Sequence, residues 1–205
     1  MATVQTPAPA KVSDQLERWL KGDDQKTLGG LIDAFGEGSF ALIFVMLMAV
    51  PALPLPTGGV THVFEVIVML LALELIVGRR TVWLPERWRR LELSGAKQEK
   101  FIATLLRRIR SLERFSRPRA RWLFGHRLSG SVFGALVIAL ALTAFLAPPF
   151  SGLDTLPSIG VVMLALGYLL TDIALAGAGL AIGALGLLSV IFLGNIAVKA
   201  VESIF

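Results

Sequence analysis

The chain has 205 residues, of which 55% are hydrophobic and 17% charged, with a net charge of +5. A mean hydropathy of +0.71 excludes a disordered chain, a collagen and an ordinary water-soluble enzyme, which carries roughly 25% charged residues. With no cysteine and two histidines, there is no material for a disulfide framework, a thiol nucleophile, or a thiolate or histidine metal centre.

The charge is unevenly spread. Residues 1–37 carry a net −2, residues 79–127 a net +11, and the rest of the chain −4. The pI of 10.1 therefore belongs to one connecting segment. That segment lies between two apolar blocks, 38–78 and 128–198, neither of which holds a lysine or arginine. Arginines beside membrane spans mark the cytoplasmic side, so nucleic acid is not the expected partner. Residues 1–30 contain no apolar signal-peptide core, so the first apolar block is expected to direct its own insertion.

In chain order, residues 1–11 read as a loose tail. Val12, Leu16, Trp19 and Leu20 then fall on one helical face. Leu28, Leu31, Ile32 and Phe35 repeat the pattern after Thr27, an N-cap residue. These two short amphipathic helices suit either the membrane surface or packing on the basic segment. The domain at 1–37 is this tail with its helices.

The first membrane block, 38–78, is broken by Pro51, Pro54, Pro56, Gly58 and Gly59. One unbroken helix of that length would be about 60 Å, twice a bilayer core of about 30 Å. Proline removes backbone donors and glycine permits sharp turns, so a hairpin is expected. Its first arm, 39–53, is short for a span and points to a re-entrant tip, whereas the second arm, 60–78, is long enough to cross.

The segment 79–127 holds an apolar stripe of Phe101, Ile102, Leu105, Leu106, Ile109, Leu112 and Phe115. Arg107, Arg108, Arg110, Arg114 and Arg117 cover much of the remaining surface. This basic amphipathic helix suits anionic lipid headgroups. Trp19, Trp83, Trp88 and Trp122 all lie outside the apolar blocks, as interfacial anchors should.

A second hairpin, 128–172, breaks at Pro148, Pro149 and Gly152, and a last transmembrane helix occupies 173–205. Shifting 53–78 by 94 positions aligns Pro54 with Pro148, Gly58 with Gly152 and Thr61 with Thr155. The hairpins thus read as an internal repeat. Gly179 and Gly183 form a small-xxx-small pair, suited to packing within the chain or to a homodimer. The expected fold is an all-α integral membrane protein: two Pro/Gly-broken hairpins, a basic amphipathic linker helix and a C-terminal transmembrane helix.

No nucleotide-binding, metalloprotease or hydrolase motif is present, so neither an enzyme nor a cofactor is expected. What remains is polar residues in apolar surroundings, which default to functional candidates. Asp154 and Asp172 each precede a helix and can also be read as caps, Asp154 together with Thr155. Glu74 stands close to Arg79 and Arg80 and can reach the headgroups. His62 and Glu65 share a helical face beside the first break, next to Thr61. Such a pair suits holding a proton or a polar solute, or simply a wet helix end. If both hairpin tips meet, Thr61, His62, Glu65, Asp154 and Thr155 gather around one site.

The stretch GEGSFALIFVMLMAVPALPLPTGGVTHVFEV (36–66) resembles the start of the ExoD-type exopolysaccharide-synthesis membrane proteins of bacteria. GRRTVWLPERW (78–88), LERFSRPRARWL (112–123) and APPFSGLDTLPSIGVVMLALGYLLTD (147–172) resemble later segments of that family in the same order. Phe64-Glu65 and Ile173 depart from its pattern. The resemblance implies an inner-membrane protein linked to exopolysaccharide production, with polysaccharide-assembly proteins as possible partners, and supplies no catalytic residues. Two roles follow: a small transporter or channel, or an accessory protein docking lipids or partners through its basic segment.

Overall fold

The computed structural model describes residues 11–22, 26–53, 60–116, 127–148 and 151–202, with backbone alone at 97, 127 and 195–202. Of the expected helix-break and headgroup residues, Pro54, Pro56, Gly58, Gly59, Pro149 and Arg117 lie outside the described residues, as does Trp122. Among those described, the chain is helical, and its one β-type contact is an isolated bridge between Thr27 and Glu92. It divides into two compact units: Met1–Gly36 with Leu84–Ser116, and Glu37–Trp83 with Arg117–Phe205.

The first unit contains α1 (Val12–Lys21), α2 (Leu28–Phe35), α5 (Glu86–Arg89) and α6 (Ala96–Phe115). Thr27 caps α2, its hydroxyl oxygen accepting from the Gly30 N–H at 3.1 Å. The Thr27–Glu92 bridge is extended by Leu28 N–H to the Leu91 carbonyl and Leu93 N–H to the Lys26 carbonyl. Helices α1 and α6 pack together. The Ser13 N–H donates to Glu113 Oε1 at 3.0 Å, and Arg110 donates to Glu17, so the two helices run antiparallel. Leu16, Leu31, Ile32, Ile102 and Ile109 are buried. Of the two sites open to the N-terminal helices, they take the one within the chain. The same core takes up the centre of the α6 apolar stripe, which the sequence assigned to the headgroup layer. Only its ends, Phe101 and Phe115, remain exposed.

The second unit contains α3 (Ser39–Met48), α4 (Val60–Ile76), α7 (Arg127–Phe145), α8 (Thr155–Leu169) and α9 (Ile173–Glu202). Its pairings are α4 with α7, α3 with α8, and α9 most extensively with α8. These helices are apolar over most of their surface, and close glycine contacts mark where α8 and α9 meet. A Cβ on Gly160 would lie 2.7 Å from the Gly183 Cα, and one on Gly179 would lie 2.5 Å from the Leu164 nitrogen. Such spacing permits backbone-to-backbone approach. Gly179 and Gly183 thus take part in close helix packing within the chain, one of the two uses expected of them.

The corner between α8 and α9 is tight. Thr171 adopts a left-handed φ of 53°, and the Asp172 N–H reaches back to the Gly167 carbonyl at 2.8 Å. This is the hydrogen bond that closes a helix C-terminus when the next residue turns left-handed.

Leu28–Met48, Leu128–Phe145 and Ile173–Gly194 are long and apolar enough to cross a membrane. The first runs through the 3-10 turn Gly36–Gly38, where Gly36 has a φ of +50°. Helix α4 has 17 residues, or about 25 Å, shorter than the arm expected at 60–78. Val63, Val66, Leu70 and Leu73 form an exposed stripe along it, as a lipid-facing side would.

Candidate functional site

Helix α4 places two polar residues on its first two turns. The His62 Nδ1 lies 2.8 Å from Glu65 Oε2, a spacing of three residues that brings both side chains onto one face. Glu65 is fully buried, while the His62 side chain remains 24% exposed. The other carboxylate oxygen, Glu65 Oε1, is buried without a hydrogen-bond partner. Thr61 is buried one residue before His62.

Two other elements reach this pair. The Phe145 ring, at the end of α7, lies 5.2 Å from the His62 ring, tilted at 57°. Asp154, just before α8, adds a minor like-charge influence on the Glu65 carboxylate. It holds the N-cap position of α8, yet its side chain makes no capping hydrogen bond. Its carboxylate is thus not used up by the helix it precedes. The described residues of the second break, Pro148 and Gly152 with its φ of +69°, fall between Phe145 and Thr155.

Isolating a carboxylate from water is costly, and a like charge nearby raises that cost. The arrangement therefore stores unfavourable electrostatics that a neutral side chain would avoid. Its chemical capacity is to hold something positive: a proton on either partner, or a cation against the free oxygen. Among the described residues no group of three or more histidine, aspartate or glutamate side chains is arranged to hold a metal.

The remaining candidates are elsewhere. Asp172 caps α9, its Oδ1 accepting from the Ala174 N–H at 2.9 Å and, more weakly, from Leu175 at 3.4 Å. Glu74 sits at the other end of α4. Its Oε2 accepts from the Trp83 N–H at 3.1 Å, and the Arg79 guanidinium lies 5.5 Å from the Trp83 ring. Glu74 thus pins the chain's exit from α4, and its bond is to backbone where the sequence suggested the headgroups. Thr155 opens α8 beside Asp154 and is half-buried. Arg107, Arg108 and Arg114 are exposed on α6, whereas Arg110 is committed to Glu17.

The sequence reading missed Phe145, which packs on the histidine, and Ser158, whose hydroxyl on α8 is buried without a partner. Phe145 gave no signal within an apolar run. Ser158 stands one turn after Asp154, a spacing that puts both on one helical face.

Over 174 residues the chain is 26% identical to an uncharacterized protein of Synechocystis sp., covering 83% of this chain and 81% of that one. It is 30% identical over 152 residues to Protein ExoD of Rhizobium meliloti, covering 71% of this chain but only 61% of that protein. No solved structure matches it. The family model described as "Exopolysaccharide synthesis, ExoD" matches residues 12–192. The chain belongs to the ExoD family of exopolysaccharide synthesis.

Proposed function

We propose that this chain is a multi-pass protein of the bacterial inner membrane that serves exopolysaccharide synthesis as a small transporter or channel, not as an enzyme. Its passage site is the cluster of His62, Glu65 and Asp154. The observation that carries the reading is the fully buried Glu65 carboxylate with one oxygen unpartnered, in a helix whose outer face is apolar. A carboxylate retained in such a place, with a second one nearby, is expected of an ion or solute path and costs stability otherwise.

The hairpins α3–α4 and α7–α8 are read as a repeat. Exchanging them maps the α4–α7 pairing onto the α8–α3 pairing, and both pairings occur. In this reading the two breaks are re-entrant and deliver the polar cluster to membrane depth. The basic segment is placed in the cytoplasm by its charge. A single cysteine at Ser94→Cys should then resist an impermeant thiol reagent applied outside intact cells.

The test is flux from liposomes carrying the purified protein, loaded in turn with protons, alkali cations and small anions. Wild type should release one class, and Glu65→Gln should abolish that release while the protein keeps its helicity. Absence of flux for every class, with Glu65→Gln altering only stability, would overturn the reading.

An accessory role is favoured by one observation. The α6 core stripe is buried within the first unit, which leaves Arg107, Arg108 and Arg114 facing outward. That surface suits anionic headgroups or an acidic assembly partner. Charge reversal at these three positions should then release the partner without changing flux.

A further inference from the structure

We infer that the ion held at this site is a proton, shared between His62 and Glu65. The inference rests on the transport reading for its purpose and takes its content from the geometry of the pair.

The donor set is the first observation. One Glu65 oxygen already faces the His62 nitrogen at 2.8 Å, and the other is buried without a partner. Hard cations draw on many oxygens, roughly six to eight for calcium. Around Glu65 the described residues offer no third acidic or imidazole ligand in metal-binding arrangement. A single acceptor atom is enough for a proton.

Charge balance is the second. The pair is neutral when it holds one dissociable proton, as carboxylic acid with neutral imidazole or as carboxylate with imidazolium. Without that proton it carries a full negative charge, fully buried on the Glu65 side. The ionisable groups of the neighbouring elements offer no other compensation. Helix α3 has none, α7 has only Arg127 at the end opposite Phe145, and the start of α8 contributes Asp154, which is itself acidic. Among the described residues no cation takes the proton's place at this end of α4.

The histidine supplies the route. Its ring is partly exposed while the carboxylate is not. The Glu65 O–H gives its proton to the His62 Nδ1, leaving carboxylate and imidazolium. The imidazolium then releases its Nε2 proton to water, and the remaining Nδ1–H donates to the carboxylate. Loading is the reverse, with water as the only co-reactant. The 2.8 Å separation is within the range for direct transfer, about 2.6–3.2 Å. The Phe145 ring packs against the imidazole at a tilt. His62 is therefore a gate between the buried acid and the aqueous side, and Glu65 is the store.

The experiment is infrared difference spectroscopy on the full-length protein in lipid, cycled between acidic and alkaline buffer with no ion gradient. Wild type should show a protonated-carboxyl carbonyl band that is lost in Glu65→Gln and shifted in Glu65→Asp. His62→Gln should retain the band at a displaced position, and sodium chloride at fixed pH should leave it unchanged. A band common to wild type and both Glu65 variants would overturn the inference, as would its removal by sodium at fixed pH. Should Glu65→Gln fail to fold, the Glu65→Asp shift and the sodium titration decide alone. The band without flux would sink the transport reading and leave the proton site standing. Sodium flux without the band would do the reverse.

Discussion

The two units are held together by different means. In the first, the helices have one apolar side and one charged side. Apolar faces bury Leu16 and Ile109, and polar faces lock with ion pairs such as Arg89–Asp33 at 2.7 Å and Lys26–Glu99 at 3.5 Å. In the second, α9 and α8 meet through glycine backbone, and apolar side chains such as Leu188 and Phe192 point outward. Water rewards an apolar interior and a charged exterior. A bilayer gives no such reward, since lipid is as apolar as leucine, so close backbone packing has to do what hydrophobic segregation does in water. One chain thus folds by two sets of rules, and a substitution should act according to the unit in which it falls.

The largest expected effect is in the second unit. Gly160→Leu would drive a side chain into the Gly183 backbone, which cannot rotate away. We expect a loss above about 3 kcal/mol, the upper end for an overpacked core, seen as collapse of thermal stability in detergent. Gly177→Leu is the control within α9 itself, since a Cβ there meets nothing within 4 Å and stability should hardly change. Equal losses at both positions would break the comparison.

In the first unit the sensitive change is a deletion. Leu16 is 1% exposed, and Leu16→Ala should cost about 2–5 kcal/mol. Faster amide hydrogen exchange in α1 and α6, with α8 and α9 unchanged, is the readout. Thr27→Ala removes the hydroxyl that caps α2 and should cost about 1 kcal/mol, measured by exchange at the start of that helix.

The smallest effect is a pH dependence. Hydrogen bonds from Lys21 and Arg110 hold the Glu17 carboxyl below the usual carboxylate range. A depressed value means that the folded form prefers the charged state. The contribution is therefore present at neutral pH and is lost as pH falls from the ordinary glutamate range through the depressed one. Docking of α1 on α6 should weaken over that acidic window, and Glu17→Gln should remove the dependence.

Much of this was legible in the sequence, and what was not has a common cause. Helix positions followed from the apolar blocks and their proline and glycine breaks: α4 begins at Val60 and α9 at Ile173, where the sequence placed them. Thr27 was readable as a cap because a hydroxyl just before an amphipathic run has a local partner. Pairing in the second unit was not readable from periodicity, since a helix apolar all round carries no facing information. Only the glycines marked contact sides, and Gly179 and Gly183 left open whether the partner was α8 or another chain. The two aspartates show the same limit. Asp172 caps α9 and Asp154 does not cap α8, though both precede a helix. What separates them is the local turn, in which left-handed Thr171 brings Asp172 into position. Glu65 was identifiable as an anomaly, its partner His62 by spacing and Asp154 as a candidate at the matching break, but Phe145 joined them only through the fold.

The central claim is that the His62 side of α4 faces a polar path while the adjacent Val63 side faces lipid. The chain has no cysteine, so a single introduced thiol is a unique probe. Val63 is exposed where His62 is half-buried, and it lies only about 1.5 Å further along the helix axis. In lipid, His62→Cys should react with a small water-soluble thiol reagent and Val63→Cys should not. Reaction at Val63→Cys with protection at His62→Cys would contradict the account, because the polar cluster would then be a sealed structural contact.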